Sequence, residues 1–78
     1  MNYDLAMMAL EGLARSPLVV RVEGEEVWIE ARASAFKELA RLCLLLGGDA
    51  TGGADGFELK PGFHTTAGGR ALQLRLIA

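Results

Sequence analysis

Cys43 and His64 are the single cysteine and single histidine of this 78-residue chain, and the one thiol and imidazole pair that could make an activated nucleophile. That chemistry needs the base within hydrogen-bond reach of a thiol open to substrate. The sequence argues against both conditions. Cys43 falls in a helical run on its expected buried face, where it acts as a small apolar residue with an unreactive thiol. His64 falls in a loop, with no second histidine or cysteine at metal-ligand spacing. The carboxylates Glu23, Glu25, Glu26 and Glu30 cluster along one hairpin. Paired-carboxylate catalysis needs a cleft that a single short sheet layer does not form, so they read as a solvated strand surface that resists aggregation. The segment GGDATGGADG, Gly47 to Gly56, lacks the lysine and hydroxyl residue of a P-loop and follows a helix rather than a strand. Asp49 and Asp55 lack the intervening ligands and closing glutamate of an EF-hand, leaving a flexible connection. The sequence therefore predicts no enzyme, no cofactor and no metal.

The element that organises the rest is a helix from Ser34 to Leu46. Ser34 can cap its first turn, and Gly47 and Gly48 offer a left-handed stop. At helical spacing Phe36, Leu39, Leu42, Cys43 and Leu46 share a face with Ala35 and Ala40, opposite Lys37, Glu38 and Arg41. That face is expected to lie on a sheet. Leu44 sits at its edge, and Leu45 on the polar side, where a contact with a second chain would explain it.

An earlier helix, residues 2–15, has Asn2 as a candidate cap, Asp4 in its first turn, and a stripe of Tyr3, Ala6, Met7, Leu10, Leu13 and Ala14. Asp4, Glu11 and Arg15 lie on its other side. The stripe packs on the domain, while Met7 and Met8 suit a pliable contact surface. Ser16 and Pro17 end this helix.

Strands are expected over 18–23 and 26–32, joined by a two-residue turn at Gly24 and Glu25. This register pairs Val22 with Val27, Val20 with Ile29 and Leu18 with Ala31 on one apolar face, and Arg21 with Trp28 and Val19 with Glu30 on the other. Gly24 supplies the positive φ of a type II′ turn. A slip of one residue would destroy the match. Trp28, facing away from the central helix, is covered by the N-terminal helix, stacked by Arg21, or used to anchor a partner. Two more strands are expected, 56–60 with Phe57 and Leu59 inward and 71–77 with Leu72, Leu74 and Leu76 inward. Between them the loop from Pro61 to Gly69, with Phe63, His64, Thr65 and Thr66, is a candidate for recognition.

The resulting fold class is α+β: one two-layer domain over residues 1–78, in the order α-β-β-α-β-β, with a mainly antiparallel four-stranded sheet. Residues 1–15 form the N-terminal helix and 18–78 the remaining unit. A chain this short buries roughly 60% of its unfolded surface, and domains of that size gain support from disulfides, metal or oligomerisation. One cysteine excludes an internal disulfide, which leaves self-association. With a net charge of -2 and its cations scattered singly, the chain is expected to bind no nucleic acid. Asp4 and Glu11 interrupt the apolar N-terminal residues, so neither a signal peptide nor a spanning helix is expected, and the expected location is the cytoplasm.

In the C-terminal third, Gly56-Phe57-Glu58-Leu59-Lys60-Pro61, then a loop, then Gly69-Arg70-Ala71-Leu72-Gln73-Leu74 resembles the end of a family of small bacterial immunity proteins of polymorphic toxin systems. The resemblance runs from Leu18 onward and includes the hairpin and the leucine-rich helix. It implies a protein that binds and neutralises a cognate toxin without catalysis of its own. Glu58 and Lys60 stand where a histidine and an aspartate are more typical, the N-terminal helix is extra, and no family residue is carried over. The sequence reading is thus a non-catalytic protein-binding module using Trp28, Arg21, Leu44, Leu45, Phe63 and His64. The alternatives are a structural or regulatory homodimer built on the apolar excess of Trp28, Leu44, Leu45, Met8 and Ile77, or a small-ligand-binding subunit of a larger complex.

Overall fold

The computed structural model describes residues 3–48 and 55–77. The elements are α1 (Tyr3–Arg15), β1 (Val19–Glu23), β2 (Glu26–Glu30), α2 (Ala33–Gly47), β3 (Gly56–Leu59) and β4 (Leu72–Arg75). Asn2, the side chain of Tyr3 and residues 49–54 lie outside the described parts, and with them the Asn2 cap and most of the glycine-rich segment.

The α+β class and the element order agree with the sequence reading, whereas the sheet does not. Two separate two-stranded antiparallel sheets, β1–β2 and β3–β4, stand in place of one four-stranded sheet. Backbone hydrogen bonding supplies the reason. The loop between β3 and β4 lies along the outer edge of β1: the Leu18 N–H donates to the His64 carbonyl at 2.9 Å, the Thr66 N–H to the Leu18 carbonyl at 2.9 Å, and the Arg70 N–H to the Val20 carbonyl at 3.0 Å. The β1 edge is thus taken at its base by the loop itself rather than by β3 or β4, and those backbone groups are satisfied.

The hairpin register is as the side-chain pattern requires, with Val22 opposite Val27, Val20 opposite Ile29, Arg21 opposite Trp28 and Val19 opposite Glu30. Gly24 makes the turn with φ 59°. Leu18 and Ala31 do not extend the ladder, which ends at Val19 and Glu30, and the Leu18 backbone is bridged to Thr65 on its other side. The expected apolar face is buried only at its base. Leu18 and Val20 enter the core, while Val22 and Val27 near the turn are exposed.

One core joins Ala6, Ala9 and Leu13 of α1, Leu18 and Val20, Ala35 and Leu42 of α2, and Leu59 of β3. Phe57, Leu72 and Leu74 pack against it as expected, and Leu76 is exposed rather than inward. On α1, Met7 and Ala14 are exposed and Ala9 takes their place in the stripe.

Helix α2 begins one residue before Ser34. Its N-cap is Arg32, without a side-chain cap, and the Phe36 N–H donates to the Arg32 carbonyl at 3.1 Å. At the other end Gly47 is helical and Gly48 extended at φ -81°, so no left-handed cap forms. Its buried face is also rotated from the expected one. Ala35, Leu42 and Leu46 are buried, Leu39 and Leu45 pack against the core, and Phe36, Ala40 and Cys43 are exposed. The cause is α1. Gly12 lies under Glu38, whose carboxylate occupies the space a side chain at position 12 would take, with a Cβ there only 2.3 Å from Oε2. Glu38 is held in this position beside Arg41 and is only 14% exposed, although the sequence assigned it to the outer face. Leu5 shares a cleft with Leu44 and Leu45, so the two helices pack antiparallel, and burial against α1 turns Leu45 inward and Cys43 outward.

Candidate protein-interaction surface

The expected site residues sit on three elements. On the hairpin, cross-strand pairing brings Arg21 and Trp28 together, and the Arg21 guanidinium carbon lies 4.9 Å from the Trp28 ring centroid. Arg21 is oriented by carboxylates on both sides, donating from Nε to Glu30 Oε1 at 2.8 Å and pairing with Glu23. Arg21 stacks over Trp28 as one of the three readings expected, and the indole remains 40% exposed. An exposed ring face beside a cation, ringed by Glu23, Glu26 and Glu30, can receive an apolar or cationic group from a partner.

On the helices, Leu44 is 75% exposed, while Leu45 is half-buried. Leu5, Arg41, Leu44 and Leu45 line a cleft of about 280 Å³, and an adjoining one of about 370 Å³ is lined by Leu5, Met8, Ala9, Glu11, Arg15, Glu38 and Arg41. Leu5 is the residue the sequence reading missed. Its position one turn before Met8 was the available signal.

On the β3–β4 loop, Phe63 is exposed and its ring centroid lies 6.3 Å from that of the half-buried His64. His64 Nδ1 accepts the Lys60 backbone N–H at 3.2 Å, which places the proton of the neutral ring on Nε2. Burial, and secondarily the charge of Lys60, lower its pKa below the ordinary value. Thr65 is fully buried, so the loop is in part a structural strap. Its Oγ1 has no hydrogen-bond partner among the described residues. A buried hydroxyl in that state costs on the order of 1 kcal/mol or more. Thr65→Val, which keeps the shape and removes the hydroxyl, is therefore expected to raise stability by about 1 kcal/mol in denaturant unfolding. A loss of stability would mean that the hydroxyl has a partner.

Cys43 is exposed, contrary to its expected burial, and it makes no hydrogen bond with His64. Among the described residues no group of three histidine, cysteine, aspartate or glutamate side chains could hold a metal ion, and no helix is long and apolar enough to cross a membrane. Glu23, Glu25, Glu26 and Glu30 are all exposed. The clefts are open to solvent and are lined by apolar residues together with Arg15, Arg32 and Arg41. No protein-family model, curated protein or solved structure matches the chain.

Proposed function

We propose that this chain is a non-catalytic protein-binding module whose recognition surface is the Arg21–Trp28 face of the β1–β2 hairpin, acting as an immunity-type protein that neutralises a bacterial toxin. The observation that carries the reading is an exposed tryptophan stacked by an arginine that itself pairs with two carboxylates. Tryptophan and arginine are among the residues most enriched at interface hot spots. The toxin-directed part of the proposal rests on the resemblance of the C-terminal third to immunity proteins.

Trp28 is the sole tryptophan, so its fluorescence reports on this surface alone. A partner captured with the chain as bait, then purified and titrated, is expected to shift the Trp28 emission. Trp28→Ala should weaken that affinity at least about 30-fold, the loss typical of a hot spot. Co-expression of the chain should suppress the partner's toxicity, and co-expression of the variant should not. A folded Trp28→Ala protein that binds and protects as well as wild type would remove this face from recognition.

A further inference from the structure

The β1–β2 hairpin has one edge covered at its base by the β3–β4 loop, on β1, and one open edge, on β2. In a hairpin closed by a two-residue turn, Glu23 and Glu26 form a hydrogen-bonded pair, as do Arg21 and Trp28, and Val19 and Glu30. The backbone groups of the intervening residues therefore point outward. On β1 the outward groups are used at the base of the strand, where the Leu18 N–H donates to the His64 carbonyl and the Leu18 and Val20 carbonyls accept from Thr66 and Arg70. The corresponding N–H and C=O groups of Val27 and Ile29 on β2 have no partner among the described residues. An open strand edge is a template for another strand, and Val27 beside it is 65% exposed.

Charge selects which strand fits. The hairpin is acidic at its turn, where Glu25 and Glu26 are exposed and make no ion pair among the described residues. Its base is cationic, with Arg15 and Arg32 lining an open cleft of about 620 Å³ together with Ser16, Ala31 and Ser34. Neither arginine has an ion-pair partner among the described residues. Glu30 also lines that cleft, but its charge is engaged by Arg21. A strand with this polarity is complementary to a copy of itself run in the opposite direction.

We propose that two copies of this chain pair antiparallel along β2, about a two-fold axis through Ile29, joining their hairpins into one intermolecular sheet. In this register Val27 faces Ala31 of the second copy and Glu26 faces Arg32 of the second copy, and both contacts recur across the axis. Val27 and Ile29 present outward backbone groups and Ala31, one residue past the end of β2, continues their alternation, so in the proposed pairing the hydrogen-bonded positions fall in step. An axis at Trp28 would set Glu26 against Glu30 of the second copy, and one at Val27 would leave Glu30 facing a glycine. The proposal goes beyond recognition at the Arg21–Trp28 face, because it concerns the strand edge and holds whether or not a heterologous partner binds.

The test is sedimentation and light scattering over a dilution series, with far-UV circular dichroism as the check on folding. Wild type is expected at twice the 8.3 kDa chain mass. Val27→Pro should be monomeric with its own hairpin intact, since the N–H it removes points outward and serves no bond to β1. Glu26→Arg and Arg32→Glu should each weaken self-association by about tenfold, and the two together should restore it. A wild-type chain that is monomeric at every concentration overturns the proposal. So do a polymer that grows without limit, a dimer that survives Val27→Pro, or a double variant no better than the singles. Should Val27→Pro fail to fold, the charge pair decides alone.

Discussion

Leu42→Ala is expected to destabilise the protein by about 3 kcal/mol, within the usual range for a fully buried leucine. Leu42 is wholly inaccessible and contacts a core made by both helices, β1 and β3. A chain of this length has roughly 4–12 kcal/mol of total stability, so the loss is a substantial part of it and lowers Tm by roughly 12–24 °C. The neighbours provide the internal comparison. Cys43→Ala and Leu44→Ala replace exposed side chains on the same helix and should stay within about 0.5 kcal/mol of wild type. Denaturant unfolding of the three variants reads out the rotation of α2 directly. A Cys43→Ala protein as damaged as Leu42→Ala would put the buried face back where the sequence pattern alone placed it.

That rotation also marks where sequence reasoning reached its limit. The leucines at 39, 42, 44, 45 and 46 satisfy helical periodicity on more than one face, and periodicity cannot say which neighbour will cover them. The decision comes from α1, and its signal was Gly12. A glycine inside a helix costs about 1 kcal/mol relative to alanine, and here its missing side chain makes room for Glu38. The register of the hairpin, by contrast, was legible from Val19 to Glu30. Gly24 fixes the turn, and a two-residue connection leaves a single register in which the valines and Ile29 share a face, so Arg21 had to meet Trp28. The clamp on Arg21 by Glu23 and Glu30 follows from that register, since Glu23 lies two residues along the same strand face and Glu30 is a diagonal neighbour.

The division of the four strands into two sheets was not legible. Alternation identified each strand without indicating which edges would meet, and a buried threonine in a polar loop carries no hydrophobic signal. Thr65, at the centre of the strap along β1, is what converts a recognition loop into part of the framework. The hairpin is consequently divided along its length: its base, held by the strap, enters the core, and its turn end exposes Val22, Val27, Glu25 and Glu26.

Gly56→Ala is expected to cost about 2 kcal/mol, through a clash that no rotamer change can relieve. A Cβ at position 56 would stand 2.4 Å from the Leu74 carbonyl oxygen and 3.3 Å from the Arg75 Cα, and both are backbone atoms of the paired strand. The strands would have to separate at that end, where Gly56 faces Arg75 and the Leu76 N–H donates to the Asp55 carbonyl at 2.7 Å. Gly47→Ala is the contrasting substitution. Gly47 is helical with nothing within 4 Å of its Cβ position, so alanine there should be neutral or stabilising by up to about 1 kcal/mol. Amide exchange locates the damage: in Gly56→Ala the β4 amides nearest the clash should exchange faster, and the β1–β2 ladder should change less. If the strap on β1 depends on a closed β3–β4 pair, the Thr66 and Arg70 amides will loosen together with β4, because the strap is the connection between those two strands. Equal tolerance of alanine at positions 56 and 47 would mean that β3 and β4 do not approach closely at Gly56.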